Sequence, residues 1–222
     1  MKYLKKFSNH SDYNTFTGST EFIKPNVSHC IQENDVHYNP REDEPTPKWI
    51  ATYSDSHTES AECDDTGIIV ENEITKENLV SVEIGNCLVS LGTAAFANSA
   101  SLVRIDIPDS LEWIDEYVFF NCTSLTNIDI PSGVTSISAG AFRGCTSLTN
   151  IDIPSGVTSI GNLAFYDCTS LQGITVNAIN PPSLVDSAFQ NTNNAPIYVP
   201  NVDTYKSAEG WSRYADRIFP IE

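Results

Sequence analysis

Basic residues are scarce in this 222-residue chain: 12 Lys and Arg stand against 29 Asp and Glu, giving a formal net charge of −17. Nucleic-acid affinity rests on cations that neutralise phosphates, so no nucleic acid is expected as a partner. The shortage is uneven. Residues 1–48 hold six basic and seven acidic residues, whereas residues 49–222 hold six and 22, so nearly all the negative field belongs to the latter part. Long apolar runs are missing too, which argues against membrane insertion. The opening segment MKYLKKFSNHSDY carries lysines but neither the apolar run nor the small-residue cleavage site of a secretory signal, so folding in a reducing cytoplasm is the expectation.

Catalytic punctuation is also lacking. Ser, His and Asp all occur, yet no Gly-x-Ser-x-Gly, no Cys–His pairing and no phosphate-cradling glycine loop surrounds them. His29, Cys30 and His37 have no zinc-ligand spacing. The reading is therefore of a protein that is not an enzyme, with no cofactor and no metal.

What the chain does have is a repeat. CTSLTNIDIPSGVTSI at Cys122–Ile137 returns letter for letter at Cys145–Ile160, 23 residues later. The register extends both ways. Leu79, Leu102, Leu125, Leu148 and Leu171 form one column, followed by Val82, Ile105, Ile128, Ile151 and Ile174, and then by Ile84, Ile107, Ile130, Ile153 and Val176. Phe96, Phe119, Phe142, Phe165 and Phe189 keep the same period with a slip of one in the last unit. Leu88, Leu111, Val134 and Val157, then Leu91, Ile114, Ile137 and Ile160, complete the set. A period of this size marks a stacked solenoid, in which no coil buries its apolar side chains alone.

Four segments follow. Residues 1–48 read as an arm and linker, broken by Asn and Pro, with Phe7, Tyr13, Phe16, Phe22 and Tyr38 as candidate partner-anchoring residues. Residues 49–75 read as a β-rich cap, a hairpin-like pair of runs at Trp49–Tyr53 and Gly67–Val70 around a polar stretch. Residues 76–192 hold five repeats, each with one short parallel strand such as Leu125–Ile130, then turn chemistry at Pro-Ser-Gly and a tight turn or short helix before the Phe. Residues 193–222 form a mixed cap: a strand at Ile197–Pro200, a helix over Asn201–Gly210, and a plug of Trp211, Tyr214, Ile218 and Phe219.

The consensus CTSLTNIDIPSGVTSIG-x-x-AF resembles the BspA-type leucine-rich repeat over residues 77–192, and the closing APIYVPNVDTYKSAEGWSRYADRIFPI resembles that family's final segment. The resemblance implies a right-handed leucine-rich-repeat coil and a ligand- or surface-binding protein without catalytic residues. The arm resembles amino-terminal pieces of virion proteins from phages of gut Bacteroidales. That second resemblance implies a virion component assembled in the host cytoplasm, its arm docked on other virion proteins and its repeats presented to a protein or glycan on a host surface, with homo-oligomerisation open. The alternative is a bacterial cell-surface adhesin.

Within the repeats, Glu83, Asp106, Asp129 and Asp152 share one outward station, and Arg104, Asn127 and Asn150 flank them. Carboxylates at strand spacing repel, and a cation or cationic ligand would relieve that; a solvated acidic face is the blander account. Tyr117, Phe120, Arg143 and Tyr166 occupy variable positions around the Phe station, either as a contact patch or as an ordinary amphipathic turn. Cys122, Cys145 and Cys168 read as buried fillers rather than a disulfide or metal set.

Overall fold

Six apolar columns on one period leave each unit with more hydrophobic surface than it can shelter, and winding the chain into stacked coils removes that surface from water. A computed structural model describes residues 5–7, 47–62, 68–69, 73–185 and 187–222. Strands β1 (Lys5–Phe7), β2 (Pro47–Tyr53) and β3 (Thr58–Glu62) precede the coils. The coils contribute β4 (Ile68–Ile69), β5 (Leu79–Ile84), β6 (Ser90–Leu91), β7 (Arg104–Asp106), β8 (Trp113–Ile114), β9 (Ser136–Ile137), β10 (Asn150–Ile153), β11 (Ser159–Ile160), β12 (Gly173–Val176) and β13 (Ser183–Leu184). The end is built from β14 (Ile197–Val199), helix α1 (Val202–Ser207), a 3-10 helix (Ser212–Arg217) and β15 (Ile218–Pro220).

Four of the five coils carry two strands rather than the one expected, and the third carries β9 alone. A continuous six-stranded sheet, β13-β11-β9-β8-β6-β4, is entirely parallel and runs the length of the coils. Its inward residues, Ile69, Leu91, Ile114, Ile137, Ile160 and Leu184, are the last aliphatic column, and all are buried. Two residues per coil are too few to show a period of two, which is why the sequence pattern does not declare them. The pairing of Ile160 with Leu184, 24 residues on, absorbs the slip seen in the Phe column.

On the other side the strands fall into two blocks, β1-β3-β2-β5-β7 and β10-β12-β14-β15. The segment Leu125–Ile130 lies between them and is not a strand, against expectation. Val103 donates to Val80 O, Thr149 to Thr126 O and Gln172 to Thr149 O, but among the described residues no backbone bond joins Thr126 to Val103. Ile128 and Ile130 still point inward and are buried.

The amino-terminal cap also differs from its expected pairing. β2 pairs antiparallel with β3, the run read as polar, and with β5 of the first coil; Ile68–Ile69 instead joins the long parallel sheet. The alternation Thr-Glu-Ser-Ala-Glu is mildly polar, but its backbone pairs as well as any, and Trp49, Ala51 and Tyr53 supply the buried face. Glu73 ties the cap down, holding Lys48 Nζ at 3.0 Å and accepting Trp49 Nε1–H at 3.0 Å. β1, from the arm, adds antiparallel to β3 with Phe7 opposite Thr58. Tyr13, Phe16, Phe22 and Tyr38, and the His29, Cys30 and His37 set, lie outside the described residues.

Turns connect the strands as the Pro-Ser-Gly chemistry predicts: Leu111, Val134 and Val157 donate to the carbonyls of Pro108, Pro131 and Pro154, each closing a four-residue turn. The run before each Phe is a series of turns, not a helix, and its amides reach the next coil: Phe96, Phe119 and Phe142 donate to Val118, Ala141 and Ala164 O at 2.8–2.9 Å. The five phenylalanines stack as one spine, with ring centroids 5.1–5.7 Å apart and planes within 16° of parallel. Trp211 and Tyr214 close it against Phe189, each at 5.9 Å. Phe219 is not part of the plug, being 45% exposed; the fully buried Tyr205 of α1 packs edge-on against Trp211 at 4.8 Å instead.

Candidate functional site

Two left-handed stations shape the corner of each coil. Ala94, Tyr117, Gly140 and Leu163 hold φ of 56 to 61° at one, and Asn98, Asn121, Gly144, Asp167 and Asn191 hold 55 to 76° at the other. Asn and Gly suit such backbone, but Tyr and Leu do not, and a left-handed Tyr117 costs about 1–2 kcal/mol. The Cδ1–Cε1 edge of the Tyr117 ring sits where a Cβ on residue 140 would be, 2.4–2.5 Å from that position, so Gly140 is what lets the ring lie there.

From Tyr117 a row of side chains crosses successive coils. Tyr117 meets Phe120 edge-on at 6.1 Å. The Arg143 guanidinium carbon lies 5.6 Å from the Phe120 ring centroid and 5.4 Å from that of Tyr166. Tyr166 Oη accepts from Asn191 Nδ2 at 3.4 Å. All four proposed patch residues therefore come together as one ridge, with the cation held between two rings.

The acidic column is less open than its spacing implied. Arg104 Nε bonds Asp106 Oδ1 at 2.8 Å, and this contact, helped by the charges of Glu83 and Asp129, raises the Arg104 guanidinium above its usual value. Asp152 accepts from Asn177 Nδ2. Glu83 lies opposite Asp106 in register, and Asp129 and Asn127 sit on the unpaired segment, exposed. Asn150 is exposed at the start of β10, its amide 3.4 Å from Thr149 Oγ1. Among the described residues, no group of three or more His, Cys, Asp or Glu is placed to hold a metal ion.

One exposed aromatic escaped the sequence reading. Trp113, 40% exposed, projects from β8 in a column that otherwise holds Ile68 at its start and then Ser90, Ser136, Ser159 and Ser183. Comparing residues down that column, rather than along the chain, is the signal that finds it. At the carboxyl end, a cleft of about 580 Å³ is lined by Asn191, Asn194, Arg213, Tyr214 and Arg217. Arg217 there donates to Thr192 Oγ1, Ala195 O and Phe189 O at 2.9–3.1 Å and lies over Tyr214, so it caps the last coil's carbonyls.

The cysteine ladder is buried and its thiols are in use: Cys122, Cys145 and Cys168 Sγ donate to Phe96, Phe119 and Phe142 O at 3.1–3.2 Å. Burial pushes the Cys122 and Cys168 thiols up to about 12, and Cys145 also well above the ordinary value. Unfolded thiols ionise near pH 9 while the folded ones stay protonated, so above pH 9 the unfolded state binds fewer protons and stability falls. Urea melts at pH 8 and pH 10 are expected to differ by about 1 kcal/mol per thiol. Replacing all three by Ser should flatten that dependence; an unchanged slope would mean other groups cause it. Cys87, in contrast, is disulfide-bonded, the other half falling outside the described residues.

A family model described as "BspA type Leucine rich repeat region" matches residues 68–196 in six copies. Its first copy begins where β4 does. A comparison with curated proteins finds no match. Among solved structures, the chain is similar to a leucine-rich repeat protein of T. pallidum (30% identity, TM-score 0.47, covering 54% of each chain). It is also similar to one from Bacteroides ovatus (20% identity, TM-score 0.49, covering 76% of this chain and 55% of that one). A third is a leucine rich cell surface protein of Faecalibacterium prausnitzii, at 29% identity and TM-score 0.50, covering 61% of this chain and 34% of the other. The chain thus spans about half the length of the first two proteins and a third of the last.

Proposed function

Because the chain belongs to the BspA-type leucine-rich-repeat family, we propose that it is a non-enzymatic binding protein whose coils are displayed at a bacterial cell surface. The observation that carries this is where sameness and variation fall. Residues that recur down the columns are buried in the stack, whereas those that break the pattern, Trp113, Tyr117, Phe120, Arg143 and Tyr166, lie on the outside. Such a body is a scaffold for presenting side chains, since its interior leaves nothing to do but pack.

Two further facts support a surface setting. The similar Faecalibacterium prausnitzii protein is a cell surface protein, and the disulfide at Cys87 fits an oxidising exterior better than the reducing compartment expected from the amino-terminal sequence. The virion setting rests on the arm, which lies outside the described residues apart from Lys5–Phe7, and the comparisons lend it no support. Antibody raised against residues 76–192 is expected to stain intact, unpermeabilised cells of the encoding organism. Staining only after permeabilisation, or recovery of the chain solely in purified phage particles, would overturn the surface reading.

A further inference from the structure

We propose that Tyr117 and Arg143 form a binding site for an acidic sugar, the Tyr117 ring receiving the face of the pyranose and the Arg143 guanidinium its carboxylate. The inference rests on the reading of the coils as a presenting scaffold and names the ligand class for one ridge of it.

Residues 76–192 contain three basic residues: Lys76, Arg104 and Arg143. Lys76 Nζ donates to Ala94 O at 3.0 Å, and Arg104 is paired with Asp106. Arg143 alone of the three has neither a carboxylate nor a carbonyl partner among the described residues; its contacts are the rings of Phe120 and Tyr166. The two rings fix the guanidinium in place while leaving its N–H donors unpaired. A planar fork held in this way is matched to the two oxygens of a carboxylate.

Tyr117 supplies the second half. The residue is 37% exposed, and its main chain keeps a left-handed conformation that glycine would adopt without strain. A tyrosine kept at such a station, on Gly140 and beside Phe120, places a flat apolar surface one coil from the free cation. Charge narrows the choice of ligand further. The surrounding body is strongly acidic, so a densely anionic polymer or an acidic peptide is repelled along its length, whereas a single carboxylate on an otherwise neutral ring meets one local cation and little else.

The full chain should be applied to an array of neutral, single-carboxylate (glucuronate- and sialate-terminated) and polysulfated glycans, with an acidic peptide as competitor. Signal is expected on the single-carboxylate sugars and not on their neutral counterparts. Arg143→Lys should weaken it at least tenfold, because the fork is lost while the charge stays. Tyr117→Gly should do the same without lowering the melting temperature by more than a few degrees; Tyr117→Asn, which also tolerates the left-handed backbone, serves if the glycine variant unfolds. Equal binding to neutral sugars, preference for polysulfated ones, displacement by the acidic peptide, no glycan bound, or an Arg143→Lys protein that binds as before would each overturn the site. A negative array with intact surface staining sinks the sugar site alone, whereas array binding by a chain absent from the surface sinks the display reading alone.

Discussion

Phe142→Ala is expected to lower stability by about 3–5 kcal/mol, the range for emptying a buried aromatic site that cannot collapse. For a domain whose whole stability is about 5–15 kcal/mol, that is a large fraction, equivalent to roughly 10 °C or more in Tm. Phe142 is fully buried and stacked on both sides, 5.2 Å from Phe119 and 5.1 Å from Phe165. Its amide donates to Ala164 O, and its carbonyl accepts from Cys145 N and Cys168 Sγ, so the surrounding backbone is held too firmly to fill the gap. Phe96, at the amino-terminal end of the spine, has a single stacked neighbour, Phe119, at 5.7 Å. Phe96→Ala should therefore cost less, by about the 0.5–1.5 kcal/mol of one aromatic pair. Denaturant melts of both variants decide the matter. Equal losses would mean that the rings contribute only through burial and that the spine is not a cooperative unit.

The second large effect is expected at the cap. Trp211→Ala removes a fully buried indole that donates Nε1–H to Pro182 O at 2.7 Å and covers the last ring of the spine. Lost burial and an orphaned carbonyl together amount to about 3–5 kcal/mol. In a stack, each coil is stabilised only by the ones it touches, so the damage should be graded along the chain. Amide exchange should accelerate at Phe165, Asp167 and Ile174, whose N–H groups reach Ala188, Gln190 and Pro196. Val103 and Thr135, bonded to Val80 and Glu112 far from the cap, should keep their protection. Uniform acceleration across all five would show that the body unfolds as a single block and that a nearest-neighbour description is wrong.

These two variants also mark what the sequence makes legible. The Phe column and its slip of one can be read from spacing alone, because burying a side chain at a fixed station requires a fixed period; the plug lies beyond that period, and there Phe219 was expected where Tyr205 packs. Hydrogen-bond closure between coils cannot be read that way. Cys122–Ile137 and Cys145–Ile160 are identical, yet Asn150–Ile153 forms a strand and Asn127–Ile130 does not. The difference lies in the pairing: Asn150–Ile153 has Gly173–Val176 beside it in register, whereas no ladder joins Asn127–Ile130 to β7 or to β10. For the candidate site, the residues of the ridge were readable as departures from the repeat. That Arg143 stands between Phe120 and Tyr166 follows from their shared station, 23 residues apart; that both ring centroids lie within 5.6 Å of the guanidinium carbon does not, since it depends on how far one coil is rotated over the next. Trp113 was missed for a related reason, as a two-residue strand gives no alternation to announce which side chain faces out.

The interruption at Asn127–Ile130 bears on the ridge itself, since the coil lacking strand partners on that side is the one that carries Arg143. At this level the coils are joined by the β8-β9-β11 sheet and by corner bonds on either side of the cation, Asn121 N–H to Arg143 O and Gly144 N–H to Tyr166 O, both 2.8 Å, whereas the side of Asn127–Ile130 has no strand ladder. Local opening is therefore expected to begin at Asn127–Ile130 and to leave the Phe120–Arg143–Tyr166 row at its spacing, so that the ridge outlasts the fraying of the face beside it.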